Sequence, residues 1–183
     1  MGAKTVEEAR HGRLKFTTIH RDSGFLLIDD KQYAAVEGKL LGFDQHTFDY
    51  KGTPQRKFDV FLSDDGIYQI QIGFYSWVNF RFLNQLINIE GMKAGGLLEV
   101  STNMVDDNVT IFVKWNGKNL KHKYKWAELK FDNKSDAEKQ AHRNKIIDKW
   151  YAHLTELMPY DPEKDKAPEE NGNTPKDDDD LPF

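Results

Sequence analysis

The sequence KFDVFLSDDGIYQIQIGFY, residues 57–75, contains the clearest structural signal in the chain. Two runs of β-forming residues, 57–63 and 67–75, flank Asp64-Asp65-Gly66, and an Asp-Gly pair tolerates the positive φ of a tight hairpin turn. Side chains of the second run alternate between two faces: Tyr68, Ile70, Ile72 and Phe74 on one, Gln69, Gln71 and Tyr75 on the other. This alternation predicts a hairpin with one face in the core and the other in solvent.

Further strand-forming runs lie on both sides of this hairpin. We predict strands at residues 14–19, 25–29, 33–41, 43–50, 97–103, 109–115 and 120–126. The two runs between residues 33 and 50 form one long or bent strand, because Gly38 and Gly42 permit a bulge or a sharp coil.

Two segments have helical periodicity instead. Apolar residues recur at helical spacing in two rows between residues 76 and 89, which predicts a short, mostly buried helix that ends before Gly91. Ser135 and Glu138 fit a capping box, and the helix that they begin should run to about Met158, where Pro159 stops it.

This order predicts a mainly β fold: a five-stranded Greek-key barrel of the OB type with a helix between its third and fourth strands. An extra β-hairpin and a C-terminal helix complete the body. Other small β folds would fit the same order. We predict one domain, residues 1–160, followed by an acidic tail, 161–183, that is too poor in apolar residues to fold.

The charge is divided unevenly between body and tail. Residues 161–183 contain nine acidic and three basic residues, a net charge of −6, whereas residues 1–160 contain 23 basic and 21 acidic residues, a net charge of +2. A weakly basic body attached to a strongly acidic tail suits a protein that binds a polyanion and carries its own competitor.

Several classes of function find no support. The chain has no cysteine, so neither a disulfide framework nor a cysteine-based zinc site can form. His142 and His153 lie three helical turns apart, too far to share a metal. Phosphate-binding loops and nucleophile elbows are absent from the sequence. We therefore expect no catalytic activity, no cofactor and no metal.

The seven C-terminal residues combine charge with an aromatic end. They are Asp177, Asp178, Asp179, Asp180, Leu181, Pro182 and Phe183. A run of like charge cannot pack into a core, so these residues should remain available to a partner. The alternative is a solubilising tail, but such a tail does not need a terminal Leu-Pro-Phe.

This tip resembles the acidic C-terminus of bacterial and bacteriophage single-stranded-DNA-binding proteins. The predicted strand order resembles their OB fold as well. The compact size, the C-terminal helix and the short tail are more similar to bacteriophage members than to the tetrameric bacterial proteins. The resemblance implies non-specific binding of single-stranded DNA in replication, recombination and repair, with recruitment of replication and repair proteins through the tip. It leaves the oligomeric state open, including a homo-oligomer.

Single-strand binding requires cations for phosphates and exposed rings for bases. Residues 120–126 interleave the two kinds, because lysines alternate with His122, Tyr124 and Trp126. The candidate DNA-binding residues are Lys39, Phe48, Tyr50, Arg56, Lys57, Tyr75, Lys114, Trp115, Lys118, Lys121, Lys123, Tyr124, Lys125 and Trp126. The same rings could instead fill the core, and the lysines could protect an edge strand.

Two other functions remain open. One is strand annealing or recombination mediation, which uses the same chemistry but accelerates pairing of complementary strands. The other is a protein–protein adaptor without affinity for DNA. Base stacking does not distinguish DNA from RNA. The polar N-terminus, together with the absence of an apolar run of about 20 residues, predicts a cytoplasmic protein without membrane association, in a bacterial or phage-infected cell.

Overall fold

One mixed sheet dominates the structure, a computed structural model that describes residues 14–20 and 22–163. In this part of the chain the sheet has nine strands in the order β3-β2-β1-β6-β5-β4-β7-β8-β9, and it remains open. The strands are β1 Leu14–Ile19, β2 Leu26–Ile28, β3 Lys31–Tyr33, β4 Ala35–Tyr50, β5 Thr53–Ser63, β6 Ile67–Gly73, β7 Leu97–Val105, β8 Asn108–Trp115 and β9 Lys118–Asn119. Only β1 and β6 pair in parallel.

The predicted hairpin is confirmed as β5 and β6. Ser63 lies opposite Ile67, and the Asp64 amide donates to the Gly66 carbonyl at 3.0 Å. The turn does not use the positive φ that the Asp-Gly pair permits, because none of its three residues has left-handed backbone. The predicted core face is confirmed for Ile70, Ile72 and Phe74, which are buried, whereas Gln69 of the predicted solvent face is buried as well.

β4 is the strand that organises the sheet. Its first five residues, Ala35 to Lys39, pair with β7, and the strand pairs with β5 from Lys39 to Tyr50. The register shifts between Leu40 and Gly42, which is where the sequence predicts a bulge. Gly42 has no room for a side chain, because a Cβ there would lie 2.7 Å from the Tyr160 backbone nitrogen.

Two helices cover the inner face of the sheet. α1, Trp77–Leu86, begins at Ser76, whose hydroxyl accepts from the Asn79 amide. α2, Asp136–Leu157, begins with the predicted Ser135–Glu138 capping box. The core between helices and sheet is unusually aromatic. Its fully buried rings are Phe43, Phe58, Phe74, Phe82 and Phe131.

The chain returns to β4 after α2. The Phe43 amide donates to the Met158 carbonyl at 2.9 Å, and the Tyr160 amide donates to the Phe43 carbonyl at 3.0 Å. The Tyr160 ring stacks on Phe61, with 3.6 Å between ring centroids. The body therefore ends on the outer face of the sheet, and most of the predicted tail, residues 164–183, lies outside the described residues.

The mainly β class is confirmed, the finer prediction of a barrel is not, and one predicted strand is wrong. The predicted five-stranded barrel is not seen: β1, β2 and β3 extend the edge at β6, and the sheet stays open although it curls until Gly24 meets the Met104 backbone. The predicted strand at 120–126 is wrong. In the described chain, only the two residues of β9 continue the sheet beyond β8; residues 120–125 cross onto α1, and Trp126–Leu129 form a 3-10 helix.

Buried amides of α1 explain this second difference. Asn84 donates from Nδ2 to the Tyr124 carbonyl at 2.9 Å and accepts from the Tyr124 amide at 3.0 Å. Gln85 makes the same two-way contact with β8: it donates to the Ile111 carbonyl at 2.9 Å and accepts from the Val113 amide at 3.1 Å. These side chains satisfy the backbone groups that another strand would otherwise pair.

Among the described helices, none is both long enough and apolar enough to span a membrane.

We expect Gln85→Leu to lower the free energy of unfolding by about 2–4 kcal/mol. The change keeps the volume but strips two buried backbone groups of their partners, and each unsatisfied group costs about 1–3 kcal/mol. Denaturant unfolding measures the change. Gln55→Leu, at an exposed position of β5, is the matched control and should stay within about 0.5 kcal/mol of the parent. Equal stability of the two variants would contradict the role given to Gln85.

Candidate nucleic-acid interface

β4 and β5 continue beyond their neighbours as a two-stranded ribbon. β6 pairs with β5 only as far as Lys57, whereas β4 and β5 stay paired to Tyr50 and Thr53. Lys51 and Gly52 close the ribbon with φ values of 52° and 77°. Two successive positive φ values are typical of a type I′ turn, whose twist matches that of the strands. The ribbon therefore projects from the sheet as a regular two-stranded arm.

One side of this arm combines rings with ammonium groups. We define the ribbon face as His46, Phe48, Tyr50, Lys51 and Lys57. The Lys57 Nζ lies 5.8 Å from the centre of the Phe48 ring, and the Lys51 Nζ lies 5.3 Å from that of Tyr50. Tyr50 is 57% exposed. Within the described chain neither lysine forms a salt bridge, so both charges can serve a ligand.

A buried carboxylate holds His46 at the base of the ribbon face. The His46 Nδ1 lies 2.6 Å from Asp59 Oδ2, and Asp59 is only 2% exposed. Burial raises the pKa of Asp59, while the contacts with His46 and Gln69 oppose this rise. Asp59 Oδ1 accepts no hydrogen bond from the described residues. The contact with His46 thus offsets part of the cost of burying this carboxylate.

Arg56 and Tyr75, also predicted to bind DNA, lie on the opposite side of the ribbon. The Arg56 guanidinium carbon stacks 3.6 Å from the centre of the Phe74 ring, and Nη1 donates to the Tyr75 hydroxyl at 3.0 Å. That hydroxyl donates to Asp148 of α2 at 2.9 Å. Their polar groups therefore hold α2 against the sheet.

The remaining candidates on β4, β8 and β9 are dispersed. Lys114 pairs with Glu99 at 2.8 Å on the outer face, and Lys39 lines a separate cavity with Lys15. Trp115 packs inward, where a Cβ on Gly96 would lie 2.0 Å from its ring. Lys118 is exposed in β9. Trp115 and Lys118 lie opposite each other in the β8–β9 hairpin, but the four residues do not line one common site.

A cleft runs between α1, β8 and residues 120–129. It consists of two adjoining cavities of about 690 and 410 Å³ that share Arg81 and His122. We define the cleft by eight of its lining residues. They are Trp77, Arg81, Phe112, Lys121, His122, Tyr124, Lys125 and Trp126.

The rings of the cleft are supported from behind. Trp126 stacks on buried Phe131 with 4.4 Å between centroids, and Tyr124 stacks on Trp150 at 5.9 Å. Trp77 and Trp126 lie 5.7 Å apart. Trp126 nevertheless remains 50% exposed. Rings that are fixed on one face and open on the other can stack on a ligand at a small entropic cost.

The structure changes the predicted arrangement of Lys121, Lys123 and Lys125, which the sequence placed in one strand. Because residues 120–125 are not a strand, the lysines do not share one face, and Lys123 Nζ donates to the Ile87 carbonyl at 3.2 Å. Lys121, Tyr124, Lys125 and Trp126 do come together. Sequence reasoning missed their neighbours Trp77, Arg81 and Phe112, although the spacing of Trp77 and Arg81 places both on one helix face.

The tail tip, Asp177 to Phe183, lies outside the described residues. Within residues 14–20 and 22–163, no group of three or more histidine, aspartate or glutamate side chains could hold a metal ion.

We expect His46→Ala to lower the free energy of unfolding by about 2 kcal/mol at neutral pH, because it leaves the buried Asp59 carboxylate without its partner. Asp59→Asn in the same chain should recover most of this loss, which a double-mutant cycle measures.

The pH dependence of these variants has a definite sign. A raised carboxyl pKa stabilises the fold below that pKa, and the contribution is lost as the pH rises through it. His46→Ala should therefore regain stability on acidification from pH 7, and the double variant should not. An identical pH profile for both variants would show that Asp59 is not the group responsible.

The comparisons with known proteins add no relative. No protein-family model, no curated protein sequence and no solved structure matches this chain.

Proposed function

We propose that this protein binds single-stranded DNA without strong sequence preference and protects it during replication, recombination and repair. The ribbon face carries the proposal. It presents the exposed rings of Phe48 and Tyr50 beside lysines that lack acidic partners in the described chain. Unpaired bases stack on such rings for about 1–3 kcal/mol each, and ammonium groups neutralise the adjacent phosphates.

We also propose that β4 to β8, with α1 between β6 and β7, form a unit of the OB type whose sheet is extended by further strands and stays open. The connectivity supports this assignment, because the β4-β5-β6 meander is followed by α1 and then by the β7-β8 hairpin, and β4 pairs with both β5 and β7. OB folds use their strand faces and loops to bind oligonucleotides. The ribbon face lies on such a strand face.

The acidic tail has two proposed roles. Its tip, Asp177 to Phe183, would recruit replication and repair proteins through charge, a terminal ring and the α-carboxylate. Its net charge of −6 would also compete with DNA for the body. The position of Tyr160 supports this competition, because it brings the end of the body to the outer face, the side that carries the ribbon face.

We expect Phe48→Ala and Tyr50→Ala each to weaken binding of a fluorescent oligo-dT by about tenfold, because each change removes one stacking platform. Fluorescence anisotropy at low salt measures the affinity. Tyr33→Ala, at an exposed aromatic on β3 outside both surfaces, is the matched control and should bind like the parent. Duplex DNA of the same length should bind more weakly, because its bases are not accessible to the rings.

Affinity of the parent protein should fall steeply with salt, because phosphate contacts release counterions. Full-length protein without affinity for oligo-dT at any salt concentration would refute the proposal and favour the protein–protein adaptor. Faster pairing of complementary strands would instead reveal the annealing function.

A chain that ends at Glu163 keeps the contacts of Tyr160 with β4 and loses most of the tail. We expect it to bind oligo-dT more tightly than the full-length protein at low salt, because a competitor of the same sign as DNA is gone. The difference should shrink at high salt, where charge interactions are screened. Equal affinities at low salt would rule out the competition and leave recruitment as the role of the tail.

A further inference from the structure

Two basic side chains from different elements meet in the middle of the cleft. Arg81 projects from α1, and His122 belongs to the segment that follows β9. Both border both cavities. Among the described residues, neither side chain forms a hydrogen bond or a salt bridge. Their donors are therefore not used by the fold.

The electrostatics of this pair favour an anion. Partial desolvation lowers the pKa of His122, and the positive charge of Arg81 lowers it further. The charge of Arg81 disfavours protonation of His122, and no carboxylate lies between the two side chains. A negatively charged ligand would therefore interact favourably with both groups. An anion placed between Arg81 and His122 would pair with the guanidinium and favour the protonated imidazole.

Aromatic side chains lie on both sides of this basic pair. Trp77 and Trp126 line one cavity, and Phe112, which is 49% exposed, lines the other. The order along the cleft is thus ring, cation, ring. A single strand presents the same order as base, phosphate, base, whereas a duplex keeps its bases stacked inside.

We propose that Arg81 and His122 form a phosphodiester-binding site in the cleft, with bases of a single strand stacked on Trp126 at one side and on Phe112 at the other. This inference rests on the proposed function and adds a contact separate from the ribbon face. Most of the cleft lies beside the helices of the inner face, with Phe112 at the edge of β8 on the same strand face as Lys114. The ribbon face lies elsewhere, on the outer face of β4 and β5.

The charged side chains around Arg81 and His122 define the position of the proposed phosphate more narrowly. Lys121 lines the cavity on the Phe112 side, and Lys125, Tyr124 and Asp107 of the β7–β8 turn line the cavity on the tryptophan side. Asp107 is the single acid that lines either cavity of the cleft. Because it repels a phosphate at the tryptophan side, the phosphate lies between Arg81, His122 and Lys121.

Binding at this site takes up a proton. The free protein keeps His122 neutral at neutral pH, and a phosphate between the two side chains favours the charged imidazole. Affinity for a single strand should therefore rise as the pH falls from about 8 to about 6, the range in which histidine changes charge.

The test compares Arg81→Gln, His122→Asn and the control Lys149→Gln, an exposed position on α2, with the parent protein. The probe is fluorescent oligo-dT, titrated at pH 6 and pH 8 and at several salt concentrations. Arg81→Gln should weaken binding by about tenfold at pH 6 and lower the salt slope by about one. His122→Asn should remove part of the pH dependence. Lys149→Gln should change neither quantity.

A second readout detects the site directly. The ring proton signals of His122, assigned by their loss in His122→Asn, give its titration by NMR with and without a short oligo-dT. We expect the oligonucleotide to move the titration of His122 to higher pH, and Arg81→Gln to reduce this movement. Circular dichroism checks that the variants fold, which we expect because neither side chain contributes a hydrogen bond or salt bridge to the described fold.

The outcomes separate this inference from the proposed function. If Arg81→Gln and His122→Asn bind like Lys149→Gln while Phe48→Ala still weakens binding, the cleft is not a phosphodiester site and the proposed function stands. If the parent protein does not bind oligo-dT, the proposed function fails and the inference with it. If an acidic peptide binds in an Arg81-dependent way while oligo-dT does not, the cleft belongs to a protein ligand and the inference is overturned.

Discussion

The two-way hydrogen bonds of Asn84 and Gln85 determine how the second half of the chain is arranged. Each amide offers one donor and one acceptor, and each binds the backbone of a different segment as a neighbouring strand would. Buried backbone groups must be paired. The Gln85 side chain pairs the backbone of β8 that faces α1, so the position of Gln85 determines how the helix packs against this strand. The contacts of Asn84 draw residues 120–125 across the helix, which opens the cleft between helix, strand and crossing segment.

The unequal lengths of neighbouring strands explain why the ribbon face exists. β4 has sixteen residues and β5 has eleven, whereas β6 has seven and β7 pairs only with the first five residues of β4. The excess length becomes the ribbon, which has no core to bury and can expose rings on one side. On the other side, Arg56 and Tyr75 secure α2. One long hairpin therefore supplies both a candidate binding surface and part of the scaffold.

Local signals predicted the local structure well. The β5–β6 hairpin, the bulge near Gly42 and the capping box at Ser135 depend on neighbouring residues, and all three are confirmed. Phe48, Tyr50 and Lys57 could also be placed together, because strand alternation and hairpin register bring them to one face. The sequence could not show that residues 120–126 leave the sheet, because their strand-like pattern competes with amides about 40 positions earlier. Arg81 was missed for the same reason: its neighbours in the cleft come from distant parts of the chain.

The open sheet has a consequence for contacts between copies of the protein. Every open sheet has two edge strands whose unpaired backbone groups could extend into another molecule and lead to aggregation. Here the two edges are β3 and β9, which have three and two residues, all of them exposed. Such short edges offer too few hydrogen bonds to template a further strand, and Lys31 and Lys118 add like charges that repel a second copy. The two terminal edges are thus poor templates for a further strand, and the ribbon, where β4 and β5 pair only with each other, is the longer backbone edge.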